Sequence, residues 1–246
     1  MSFTVIVPAR LASSRLANKM LLPLNGKPLV VQSALSAQRS SAKQVFIACD
    51  HEAIEHAASS YDIPTIRTST SHSSGTDRLF ETCEHLGLQD QEIIVNVQGD
   101  EPLMPAEAID YTAALLAQNG WADVATLCET FESFEDFTDP NNVKVVTATN
   151  ASACYFSRAP IPHDRDNPDC TPSRARRHIG IYAYRVRALR SFVTHTPSAL
   201  EKIEKLEQLR FLENGHKIVV SDTPCKVPTG IDTQEDYDAL LKNFSS

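Results

Sequence analysis

Runs that read as strands alternate with stretches that read as helices through residues 3–118, and this alternation limits the fold more than any other feature. Residues 3–7 read as a strand and 28–40 as a helix burying Leu29, Val30, Ala34, Leu35 and Ala37. Residues 44–49 form a second expected strand, and 51–60 a second helix with Asp50 as its N-cap. Residues 63–67 read as strand and 75–86 as helix. Residues 92–97, Glu-Ile-Ile-Val-Asn-Val, are rich enough in Ile and Val for a sheet centre, and 105–118 make a helix with Pro near its first turn. Such spacing predicts βαβ units. The fold class is therefore α/β, a Rossmann-like three-layer sandwich around a mostly parallel central sheet.

The second half is less regular. Residues 143–148, 153–157 and 179–184 read as strands, and 159–177, with four prolines and mixed charge, as a loop or arm. Residues 200–214 are expected to form one helix on Leu200, Ile203, Leu206, Leu209 and Leu212, stopped at Asn214–Gly215. A short strand at 217–221 and a closing helix at 233–244, with Asp232 as N-cap, complete the chain. No repeat or linker divides it, so residues 1–246 read as a single domain. A chain of this length buries about 70–75% of its unfolded surface and needs no disulfide or structural metal.

Composition removes several functions. The 23 Lys+Arg against 31 Asp+Glu give a formal charge of −8, which opposes general nucleic-acid binding. No apolar run approaches the ~20 residues that cross a bilayer, so no membrane insertion is expected. The first residues carry neither a basic region nor an apolar core of a secretory signal. The six cysteines lie at least sixteen positions apart without a CxxC pair, which fits reduced thiols in a cytoplasmic protein. With eight glycines the chain has neither GxGxxG nor GxxxxGK[ST], so NAD-linked oxidoreduction is the least supported chemistry.

The segment after the first strand brings three cations, Arg10, Arg15 and Lys19, within ten residues. Open α/β sheets bind ligands at the carboxyl ends of their strands, and guanidinium and ammonium groups there suit phosphate oxygens. The competing reading is a solvated basic loop. Asp100 follows the 92–97 strand through Gln98–Gly99, where glycine lets backbone approach a ligand, and a carboxylate at a strand end suits Mg²⁺. Ser74–Arg78 sits at a helix N-terminus, which favours an anion or a polar base edge; from these residues alone an ordinary cap by Ser73 or Ser74 is the preferred reading.

Pro8-Ala9-Arg10…Ser13-Ser14-Arg15-Leu16…Lys19, followed by Asn25-Gly26-Lys27-Pro28, resembles the opening of the cytidylyltransferases that activate sugar acids. The resemblance is closest to the branch acting on 3-deoxy-manno-octulosonate (Kdo). His72–Arg78, Val95–Pro102, Tyr155–Arg158, Arg177–Tyr182, Leu206–Arg210 and Gly230–Thr233 match in order, so it spans nearly the whole chain. One departure is Ala17–Asn18, where that family usually has Pro-Gly before the lysine, and it bears on the turn that places Lys19.

The resemblance implies a nucleotide-diphospho-sugar transferase type of sandwich, with residues 150–185 as a subregion for substrate and homodimer contacts. It implies CTP and Kdo as substrates, Mg²⁺ as cofactor, and CMP-Kdo for lipopolysaccharide synthesis as product. Pro8, Ala9, Arg10, Ser13, Arg15, Lys19, Ser74, Gly75, Asp77 and Asp100 would hold the nucleotide. Arg10, Arg15, Lys19 and Asp100 would be catalytic, and Asp100 with Asp232 would hold the metal. Gln98, Arg158, His178, Tyr182, Glu207 and Gln208 would hold the sugar acid. Each has a plainer alternative: helix capping for Asp232, a packed ring for His178, a solvated helix face for Glu207 and Gln208. Glu101 could be a third ligand or structural. A related sugar acid (8-amino-Kdo), a nucleotide-sugar-dependent glycosyltransferase or a non-catalytic nucleotide binder remain competing readings.

Overall fold

Val5 and Val7 point to one face of the first strand and Ile6 to the other, and all three are fully buried, so that strand must be covered on both sides. The computed structural model describes residues 2–12, 16–72 and 74–244. In chain order the strands and helices begin with β1 (Thr4–Ala9), β2 (Pro23–Leu24), β3 (Lys27–Pro28), α1 (Leu29–Ala37), β4 (Gln44–Cys49), α2 (Glu52–Ser59) and β5 (Thr65–Arg67). There follow α3 (Gly75–His85), β6 (Ile93–Asn96), α4 (Ala106–Gln118), β7 (Val124–Glu129), α5 (Phe134–Thr138), β8 (Lys144–Thr147) and β9 (Ala153–Ser157). The chain ends with β10 (Arg176–Arg185), α6 (Val186–Thr194), α7 (Ala199–Glu204), α8 (Gln208–Glu213), β11 (Ile218–Asp222) and α9 (Gln234–Phe244).

The main sheet runs β11-β7-β10-β6-β1-β4-β5. β1 is parallel to β4 and β6, β4 to β5, and β7 to β11, whereas β10 is antiparallel to β6 and β7. Val5, Val7, Ile47 and Val95 pack under α1, α2 and α4; Ile6, Ala48 and Ile94 pack under α3, α6 and α8. This is the expected three-layer α/β sandwich with a mostly parallel sheet, and 92–97 supplies its middle strand. β8 and β9 extend from the start of β10, and the arm between β9 and β10 is largely exposed. Among the described residues no helix is long and apolar enough to cross a membrane, and no cysteine is paired.

Four local expectations are corrected. Asp50 does not cap α2: the ring of His51 accepts the Ala53 amide instead, at 3.1 Å, and Asp50 serves other partners. Asp232 does not cap α9: the Thr233 hydroxyl accepts the Asp236 amide, while Asp236 accepts the amides of residues 232 and 233. The helix expected over 200–214 is two, because Lys205 takes a left-handed conformation (φ 56°) between α7 and α8. Tertiary bonds force that break. The Glu204 carboxylate accepts Ser157 Oγ at 2.6 Å and the Arg158 amide at 2.9 Å, while its carbonyl accepts Arg158 Nε at 2.8 Å. Ile203 consequently stands 76% exposed rather than in the apolar stripe. Finally β7 and α6, in stretches not expected to form elements, complete the sheet and its cover.

Candidate active site

A cleft of about 260 Å³ opens at the carboxyl end of the parallel strands. One wall is the end of β1 and the segment after it, Pro8, Ala9, Arg10, Lys19 and Met20; a second is His72, Ser74, Gly75 and Arg78 at the start of α3. Gln98, Gly99 and Asp100 form the floor, with Glu207 and Asp232 completing the rim. The expected nucleotide residues Pro8, Ala9, Arg10, Lys19, Ser74, Gly75 and Asp100 therefore share one space with Asp232, Gln98 and Glu207. Ser13 and Arg15, and Ser73 as an alternative cap, lie outside the described residues.

Lys19 is the hub of the cleft. Its Nζ donates to Asp100 Oδ2 at 2.5 Å, to the Ile231 carbonyl at 2.8 Å and to Asp232 Oδ1 at 3.2 Å. The lysine side chain is 8% exposed, against 50% for Asp232. The two aspartates are also tied through backbone, since the Ile231 amide donates to the Asp100 carbonyl. Asp100 and Asp232, 132 positions apart in the chain, thus converge on one cationic atom. Glu101, next to Asp100, is half-buried, and one of its carboxylate oxygens is buried without a partner. Burial, then the charges of Asp100 and Asp232, push its carboxyl up to about 8, so it keeps its proton at neutral pH.

Local sequence explains how these groups meet. Asn18 precedes Lys19 with φ 52° and ψ 32°, the left-handed region that glycine enters freely and asparagine tolerates better than most residues. Asn18 thus keeps the turn in which Pro-Gly was the expected pair, and Lys19 reaches the two aspartates. Gly99 was expected to admit a ligand closely. Here its bare Cα faces the molecule itself: a Cβ would stand 2.8 Å from Met20 Sδ and 2.9 Å from the Pro8 carbonyl oxygen. Ser74 caps α3 in a reciprocal box with Asp77, which turns the Asp77 carboxylate back onto Ser74 rather than into the cleft.

The expected sugar-acid residues divide. Gln98 and Glu207 line the cleft, and Arg158, His178, Tyr182 and Gln208 do not. Glu207 accepts the Thr76 hydroxyl at 2.7 Å, and burial pushes its carboxyl above the usual range. His178 is half-buried and packs beside Tyr182, ring centroids 5.2 Å apart, with Nε2 3.0 Å from the Thr126 hydroxyl. Burial, then Arg177, holds its imidazole down at about 3, so it is neutral at physiological pH. The Tyr182 hydroxyl and Asn96 Oδ1, opposite each other on β10 and β6, are buried without a partner. Arg158 spends its guanidinium on the carbonyls of Glu204 and Pro140, and Gln208 is buried at the start of α8. His72, Met20 and Arg78 also line the cleft without being among the expected site residues; His72 and Arg78 bracket the expected Ser74–Asp77 turn.

Two carboxylates on one point give a metal only two protein ligands, and among the described residues no group of three His, Cys, Asp or Glu side chains is placed to hold one. That donor set fits Mg²⁺, which takes one or two carboxylates and fills its remaining positions with phosphate and water.

A cytidylyltransferase family model matches residues 4–218. Curated relatives described as 3-deoxy-manno-octulosonate cytidylyltransferase include one from Saccharophagus degradans, 46% identical over the full length of both chains. Another, from Cellvibrio japonicus, is 49% identical over 96% of this chain and 95% of its own. A solved structure of CMP:2-keto-3-deoxy-manno-octonic acid synthetase complexed with CTP is 33% identical, covers 99% of this chain and 98% of its own, and has a TM-score of 0.89. Fold and comparisons together define the class, an α/β nucleotidyltransferase. Within that class the chain belongs to the cytidylyltransferase family.

Proposed function

We propose that this cytidylyltransferase transfers CMP from CTP to the anomeric hydroxyl of Kdo, giving CMP-Kdo and pyrophosphate. The observation that carries the reading is the meeting of Asp100, Asp232 and Lys19 in the cleft that also holds Arg10 and the N-terminus of α3. Full-length likeness to relatives described as acting on this sugar acid supports the acceptor. Likeness to a structure holding CTP supports the donor.

The anomeric oxygen attacks the α-phosphorus in line; the new P–O bond forms as the bond to the β-phosphate bridging oxygen breaks, and the hydroxyl proton passes to solvent. No covalent enzyme intermediate is needed. Arg10, Lys19 and, by resemblance, Arg15 and Ser13 hold the triphosphate and neutralise charge that develops on it. Ser74 and Gly75 at the head of α3 take the nucleoside. Asp100 and Asp232 would hold Mg²⁺, which supplies charge neutralisation and a lower pKa for the attacking hydroxyl. Gln98 and Glu207 meet the sugar acid in the cleft, with Arg158, His178, Tyr182 and Gln208 supporting that side.

The protein would act as a homodimer built through residues 150–185, in the cytoplasm, and its product would serve lipopolysaccharide synthesis. The exposed arm between β9 and β10 supports the first of these. The test is pyrophosphate release from CTP with Mg²⁺, comparing Kdo, 8-amino-Kdo and sialic acid. Release with Kdo, and mass identification of CMP-Kdo, is the expected result; CTP binding without turnover on any acceptor overturns it.

A further inference from the structure

Two walls of the cleft come from distant parts of the chain, and one side chain outside it touches both. Asp50 follows the last residue of β4. Its Oδ1 accepts the Leu11 amide at 2.9 Å, and its Oδ2 accepts Arg78 Nη2 at 3.2 Å. Leu11 is the neighbour of Arg10, and Arg78 belongs to the first turn of α3. Arg78 is itself buried, and its other terminal nitrogen donates to the Thr68 hydroxyl, which donates to the Cys49 carbonyl at 3.0 Å. The arginine is therefore pinned to the ends of β4 and β5, and it presents a fixed guanidinium to Asp50.

The chain could have used Asp50 differently. Its place before α2 makes it the natural cap, yet His51 performs that task and leaves the carboxylate with two partners from other elements. Bonds to an ionised acceptor are roughly twice as strong as neutral ones, and this pair lies in a mostly buried setting. The segment after β1 is held again at its far end, where Leu16 packs with Leu24, Leu29 and Ile231 and the Lys19 amide donates to the Leu16 carbonyl. Asp50 is the anchor at the near end.

We propose that Asp50 is a positioning residue for the nucleotide: by bridging Leu11 and Arg78 it sets the spacing between Arg10 and the Ser74–Gly75 turn. It touches no substrate and acts through Arg10. The inference rests on the assignment of the 8–19 segment to CTP. Phosphate-binding groups tolerate little displacement, since a misplacement of about 1 Å can cost about 100-fold in rate.

The test is a double-mutant cycle read by calorimetric CTP titration and by steady-state kinetics. Asp50→Ala should weaken CTP binding about tenfold and raise the KM for CTP to match, with the KM for Kdo within about twofold of wild type. Asp50→Asn, which keeps the side-chain volume and an oxygen for the Leu11 amide, should fold as wild type and lose less. Combined with Arg10→Ala, Asp50→Ala should add little further loss, because both changes remove one interaction. Wild-type CTP affinity in Asp50→Ala, or losses that simply multiply in the double variant, overturns the positioning role while leaving the nucleotide assignment intact. Wild-type CTP affinity in Arg10→Ala alone overturns that assignment and this proposal with it.

Discussion

The Lys19 ammonium is held 2.5 Å from the Asp100 carboxylate, although 81 positions separate the two in the chain. The contact joins the cationic segment after β1 to the acidic turn after β6, and it places both at the carboxyl edge of the sheet. An ammonium lying between two aspartates competes with any divalent ion for the same oxygens.

Asp100→Asn should therefore cut pyrophosphate release by about 100-fold or more while leaving the far-UV circular dichroism of the folded protein unchanged, although the weakened Lys19 contact should lower the unfolding midpoint. Chelation by EDTA should abolish release in the wild type. Lys19→Met should also lose turnover, yet without nucleotide it should bind Mg²⁺ more tightly than wild type by calorimetry. Near-normal release from Asp100→Asn would remove the carboxylate from the chemistry.

A methyl group at position 99 meets backbone, not solvent. Gly99→Ala should cost about 1–3 kcal/mol in urea unfolding, because the Pro8 carbonyl and Met20 must give way. The same displacement should weaken CTP binding. An alanine variant with wild-type stability would mean that the segment after β1 yields freely.

His178 should leave a signature in stability against pH. Its folded-state value of about 3 lies below the ordinary histidine value of 6.5, so between those limits the unfolded chain binds the extra proton. Stability from this group is complete above pH 6.5 and falls as the pH drops toward 3, by an amount on the order of a few kcal/mol. Urea midpoints measured from pH 8 to pH 4.5 should show the decline in wild type and a flatter profile in His178→Gln. Equal slopes in the two proteins would place the decline on other groups.

Arg210 grips Glu201 through two bonds of 2.7 and 2.6 Å, both partners mostly buried, and stacks 3.7 Å over the Phe192 ring. Glu201→Ala strands that charge and should cost about 3–5 kcal/mol. Replacing both residues by methionine should recover much of the loss. Because the clamp holds α7 against α8, Glu201→Ala should also raise the KM for Kdo more than that for CTP, through Glu207.

The parallel half of the fold was legible because Val5, Ile6 and Val7, like Ile94 and Val95, record burial on both faces within a few residues. β7 was not, since Val-Ala-Thr-Leu-Cys-Glu carries few β-branched residues and owes its place to β10 and β11. The break between α7 and α8 is invisible in the leucine spacing, because partners on β9 impose it. In the site, the cationic segment and the strand-end aspartate could be read locally. The meeting of Asp100 with Asp232 came from the family resemblance, and the bridging role of Asp50 needed three dimensions.

Asn18 carries a consequence for how such a chain can drift. Its turn is specified by the handedness of one backbone step, so residue identity there is negotiable among side chains that accept that handedness, glycine and aspartate included. A β-branched replacement such as valine would swing the following ammonium off its two acidic neighbours. Variation at this spot is thus filtered by conformation, even though the side chain itself performs no chemistry.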